Sequence, residues 1–137
     1  MRLAIAAARG NPAFPFGAVI VRKVDRQVMA TGVNTRAANP TFHGEIVAIN
    51  DYVARHGNLG WGEVILYTTG EPCAMCMGAI LWSRIGRLVF ATSVAQLATK
   101  IDQIMLTSAD VAAKAPFVHI SITGGVLAVE AMQLFTK

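Results

Sequence analysis

Five short β-type runs alternate with helical stretches along the whole chain, and this alternation restricts the possible folds more than any other feature. "GAVIVRKV" and "QVMATGVN" meet across a tight charged turn and read as an antiparallel hairpin. "GEVILYTT" is a buried strand, and "RLVFAT" and "VHISIT" are further strands beyond it. Helices fill the intervals. "MRLAIAAARG" is a short amphipathic helix whose apolar run is cut by Arg9, unlike a signal peptide. His43–Arg55 places Ile46, Ile49 and Val53 at i, i+3 and i+7, and "HGN" ends that helix. The next helix starts at "GEPC", with Pro72 early enough that its missing N–H is harmless, and reaches Ser83. Weaker helical stretches surround Val94–Lys100 and Ser108–Lys114, and "VLAVEAMQLF" is the last helix. The order αββαβαβαβα predicts one α/β domain, residues 1–137, in three layers with helices on both faces of a sheet.

Apolar residues make up 54% of the chain and charged residues 15%, which suits a compact domain, argues against disorder and hints at surface covered by another subunit. No apolar run reaches the ~20 residues of a spanning helix, so no membrane segment is expected. The net charge of +4 is spread along the chain. Its only tight group, Arg22, Lys23 and Arg26, reads as a solvated hairpin turn, not a nucleic-acid surface. The two cysteines, Cys73 and Cys76, are too few for a disulfide scaffold and point to the cytoplasm, with thiols free for metal or redox work.

His43 and Glu45 stand at the start of an apolar helix, where burying charge is costly. Alone, His-x-Glu signals little, and Cys-x-x-Cys fits a redox dithiol, half a zinc knuckle or chance. Together they make a specific site, because successive strand-to-helix turns bring helix N-termini to one sheet edge. Cys73 and Cys76, at i and i+3, share a helix face. One imidazole and two thiolates are good zinc ligands, and the helix N-terminus favours thiolate over thiol. Three protein ligands leave the fourth tetrahedral position open to water, the mark of a catalytic zinc, one per chain. Glu45 then has a use as the group that takes and returns protons. His56, at a helix end, and His119, in a late strand, read as structural.

These residues form an H-x-E…P-C-x-x-C pattern, and on it the chain resembles the cytidine deaminase-like superfamily. Within it, the chain is similar to bacterial guanine and nucleobase deaminases and to tRNA adenosine deaminases. "FPFGAVIV", "NPTFHGEIVAIN", "LYTTGEPCAMCMGAILWSRIGRLVFA" and "ITGGVLAVEAMQLF" have counterparts there in the same order. The resemblance implies a three-layer α/β/α fold with a central mixed five-stranded sheet. It also implies hydrolytic removal of a ring amine as ammonia, with Glu45 shuttling protons. Asn34, at the end of the second strand, and backbone amides near Gly44 and Cys73 are the implied substrate contacts. Trp82 occupies an offset where guanine deaminases have a tryptophan bordering the base pocket and tRNA enzymes tend to have histidine; its helical spacing equally suits the core. Phe16 and Phe42 are flat partners for a base, or core and loop anchors. A homodimer is expected too, because "CAMCMGAILW" is apolar nearly all round and such a helix must be covered on every side.

Two departures bear on the substrate. The segment after "LVFATS" lacks the Gly-Phe-Asp-Asp run of the guanine deaminases, and "LFTK" stands where they have an aromatic tail. The expected activity is zinc-dependent deamination of a small base: guanine or a related amino-purine, pterin or pyrimidine. The C-terminal "VLAVEAMQLFTK" offers one lysine against one glutamate, which favours a free base over tRNA. Wobble-position adenosine deamination in tRNA is the alternative. From another class, a zinc-stabilised binding subunit without activity is disfavoured by Glu45, which a structural metal does not need.

Overall fold

A computed structural model describes residues 1–136; Lys137, the lysine of that C-terminal segment, lies outside the described residues. β1 (Gly17–Arg22) and β2 (Val28–Val33) form the expected hairpin, and Arg26 takes a left-handed φ of 59° in its turn. β3 (Val64–Gly70) pairs antiparallel with the other side of β1. β4 (Arg87–Thr92) and β5 (Ser121–Thr123) extend β3 in parallel, giving the order β2-β1-β3-β4-β5. The sheet is mixed and five-stranded, as the resemblance implies. Parallel neighbours require crossovers. α3 (Ala74–Ser83) supplies the one between β3 and β4, and α4 (Val94–Leu97) with α5 (Ser108–Ala113) the one between β4 and β5.

Strand alternation divides the core between two faces. Leu88 and Phe90 of β4 join Ile20 and Leu66 beneath Tyr52 of α2 (Gly44–His56) and Ile80 of α3. Ala91 points the opposite way, against Ile5 of α1 (Arg2–Ala8) and Ala131 of α6 (Ala128–Met132). Helices therefore cover both faces of the sheet. α2 lies so close to β2 that a Cβ on Gly32 would collide with the Gly44 carbonyl and the Ala48 amide.

The expected last helix is shorter than its sequence suggests. Leu127 holds a left-handed φ of 57°, so the right-handed helix begins only at Ala128, and Gln133–Phe135 tighten into a 3-10 turn. Among the described residues no helix is long and apolar enough to cross a membrane.

Candidate active site

β1 begins, and β2, β3 and β4 end, at one edge of the sheet, and the residues that follow those ends converge there. His43 is the N-cap of α2 and Cys73 the N-cap of α3, both extended, and neither side chain caps its helix. Both side chains turn instead toward a common point. His43 Nδ1 lies 3.6 Å from Cys73 Sγ and 3.6 Å from Cys76 Sγ. The donor atoms of His43, Cys73 and Cys76 all fall within 4.8 Å of one another.

These separations test the fit of a metal. Zinc bonds of about 2.05 Å to nitrogen and 2.3 Å to sulfur at a tetrahedral angle put the two donors about 3.6 Å apart. One imidazole and two sulfurs at that spacing fit zinc, and no disulfide joins Cys73 to Cys76. The electrostatics agree with the chemistry of the set. The Cys73 thiol is drawn down to about 4, first by the hydrogen bond from Cys76 and then by His43, against the opposing effect of burial. The Cys76 thiol is pushed up by the Cys73 sulfur and by burial, and the Cys73 sulfur raises His43. A dication taken up by this set would displace the thiol protons.

Glu45, 4% exposed, sits in the first turn of α2. Burial raises it above the ordinary carboxylate range, and Thr68 of β3 donates to its Oε1 at 3.0 Å. Gly44 permits this approach of α2 to the sheet edge, since a Cβ there would stand 2.9 Å from the Phe16 carbonyl oxygen.

A cavity of about 400 Å³ opens over His43 and Cys73, walled by Phe14, Phe16, Asn34 and the segment Ile101–Gln103. Asn34 is 5% exposed; its Oδ1 accepts the Arg36 N–H at 3.0 Å, which leaves Nδ2 as the group it offers to a ligand. Phe135 packs behind Phe16 with ring centroids 5.2 Å apart, so the C-terminal turn supports the cavity wall.

Of the aromatic residues singled out from the sequence, only Phe16 reaches this cavity. Trp82 does not: it is 75% exposed and stacks on Phe117 at 4.7 Å, on the outer side of α3. It is therefore neither core nor a wall of this cavity. Phe42 anchors its loop, its carbonyl accepting from Thr35 and its amide donating to Asn39. Several participants escaped the sequence reading. Thr68 gave no signal, because its partner is 23 residues away. Glu71, 7% exposed, accepts from Val94 N–H, Ser108 N–H and Ser108 Oγ, each at 2.8 Å, and so ties the first turns of α4 and α5 to the end of β3. The one available hint was its place beside Pro72 and Cys73. Phe14, Arg36 and Ile101–Gln103 lie in loops, where periodicity says nothing.

Comparison with known proteins agrees with this geometry. Residues 1–92 match the cytidine and deoxycytidylate deaminase zinc-binding region. The chain is 43% identical over 79 residues to a guanine deaminase of Bacillus subtilis (strain 168), covering 56% of this chain and 49% of that protein. It is also 43% identical over 81 residues to a tRNA-specific adenosine deaminase of Haemophilus influenzae, covering 58% of this chain and 46% of that protein. The chain thus spans about half the length of these curated relatives. A structure from work on A-to-I editing by tRNA:A34 deaminases superposes with a TM-score of 0.80 at 29% identity, covering 98% of this chain and 96% of that one.

Proposed function

Because the chain belongs to the cytidine and deoxycytidylate deaminase zinc-binding family, we propose that it hydrolytically removes an exocyclic amine from a small nucleobase-like ring, releasing ammonia. The observation that carries this reading is the His43, Cys73 and Cys76 donor set, with the buried carboxyl of Glu45 two residues from His43. Those three residues would hold zinc, which when bound lowers the pKa of a water toward ~7 and so supplies a nucleophile at neutral pH. Glu45 moves the protons. Thr68 fixes Oε1, leaving Oε2 to accept a proton and return it to the ring nitrogen and the departing amine. Burial raises Glu45 above the ordinary carboxylate range, the direction that suits a group which takes up a proton and returns it. Asn34 Nδ2 donates to an acceptor on the ring edge, and Phe14 and Phe16 bound its faces.

The substrate in this reading is a free amino-purine, pterin or pyrimidine base, guanine among them, handled in the cytoplasm by a homodimer built on the exposed side of α3. The tRNA reading stays as the second, favoured by the full-length likeness to the tRNA:A34 deaminase structure. Ammonia release from guanine, adenine, cytosine, isocytosine and pterins, set against inosine formation in an anticodon stem-loop, separates the two. Editing of the stem-loop with no turnover of any free base would overturn the first reading, and inertness toward both and toward the corresponding nucleotides would overturn deamination itself.

A further inference from the structure

Arg36 stands at the mouth of the same cavity, and nothing in the mechanism above uses it. Its guanidinium carbon lies 4.3 Å from the centroid of the Phe14 ring, and its backbone N–H is tied to Asn34 Oδ1 at 3.0 Å. A guanidinium lying on an aromatic face keeps N–H groups free at its edge. Among the described residues no carboxylate pairs with Arg36. Along the wall, Ile101 is shared with a second depression of about 340 Å³, which Lys100 lines. Lys100 also has no ion-pair partner among the described residues. Among the residues that line the cavity, Arg36 faces one exposed acid, Asp102, because the Glu71 carboxylate is engaged by Val94 and Ser108. The cavity of about 400 Å³ falls within the range of small-molecule sites.

We propose that Arg36 is a specificity-determining residue that binds an oxyanion, phosphate or carboxylate, carried by the aminated ring. The substrate class is then an anionic amino-heterocycle; this rests on the deamination proposed above and puts the anionic derivatives ahead of the uncharged free bases. The guanidinium fork matches either oxyanion with paired N–H···O bonds. Stacking on Phe14 pre-orders the fork, so little rotamer freedom is lost when the ligand arrives. An arginine that merely packs its stem on a ring would not distinguish charged from neutral ligands at close range.

The test uses matched pairs that differ by the oxyanion: guanine and guanosine 5′-monophosphate, cytosine and cytidine 5′-monophosphate, pterin and pterin-6-carboxylate. Ammonia release and calorimetric binding are both measured on the full zinc-loaded chain. The anionic member of at least one pair should be favoured by about 10- to 100-fold, the scale of charge-assisted hydrogen bonds, and mainly through KM. Arg36→Ala should bring that ratio to near one, Arg36→Lys should keep part of it, and Arg36→Glu should reverse it. The carboxylate and phosphate pairs identify the oxyanion, and a short oligonucleotide bearing the same base shows whether the phosphate is that of a mononucleotide or of an RNA strand. Equal or absent binding of both members by the parent protein, or a ratio unchanged in Arg36→Ala, overturns the proposal. Absence of turnover with the calorimetric ratio intact instead overturns the deaminase reading and leaves the oxyanion subsite standing.

Discussion

Replacing Glu71 by glutamine should destabilise the protein by about 2–3 kcal/mol, and replacing it by alanine by about 3–5 kcal/mol. Glu71 Oε1 accepts the Val94 N–H, and Oε2 accepts both the N–H and the hydroxyl of Ser108, each at 2.8 Å. Val94 and Ser108 are the first residues of α4 and α5, so both amides lack partners within their helices. Hydrogen bonds to a charged group contribute about 1.5–3 kcal/mol each, but three that share one carboxylate do not add fully. Water entering from the cavity side also meets part of the lost demand, which lowers the alanine figure. Glutamine keeps one acceptor oxygen and turns an NH2 group toward the remaining donors, hence the intermediate loss. Urea unfolding of zinc-loaded parent and variants, followed by circular dichroism, reads the difference directly. Amide exchange should accelerate across Ala98–Leu106, the link that carries Ile101–Gln103 to the cavity wall, more than in β1, β3 or β4. A glutamine variant within about 0.5 kcal/mol of the parent, with that link unchanged, would refute the pinning role.

Glu45→Gln keeps the shape of the side chain but not its proton traffic, so ammonia release should fall by about 10²-fold or more while elemental analysis still finds one zinc per chain; surviving activity would mean another group carries the protons. Asp51 supplies the pH dependence. Burial pushes its carboxyl up, but Arg55 Nε at 2.9 Å and the Thr31 N–H at 3.1 Å outweigh that and hold it below 3.8. A lowered folded value means stability that is present above the unfolded value and lost as the pH falls through the folded one. The deficit of Asp51→Asn, about 0.5–1 kcal/mol near neutrality, should therefore close as the pH drops below the ordinary carboxylate value, and a gap that persists in acid counts against the assignment. Trp82→Glu places a charge on the exposed side of α3, and sedimentation should show a dimeric parent converted to monomer; a parent monomeric at micromolar concentration refutes that interface.

The order of strands and helices was legible in the sequence because strand period, β-branched runs and helix starts are local properties of the chain. So was the donor set that could hold a metal, His43 with Cys73 and Cys76. The spacing of Cys73 and Cys76 is fixed by one helical turn, and His43 with Glu45 gains meaning only when read together with that pair. What the sequence left open was whatever depends on contact between distant segments. Helical spacing places Trp82 on α3 but does not say whether that side is covered, and the fold leaves it facing solvent against Phe117. The partners of Glu45 and Glu71 lie 23 and up to 37 residues away, so only the pairing of β3 with its neighbours and the packing of α4 and α5 bring them together. The cavity walls come from loops with no periodicity, and their positions follow from where β1 begins and β2, β3 and β4 end. The chemistry could be read one residue at a time, whereas the shape around it exists only once those strand ends meet at the same edge of the sheet.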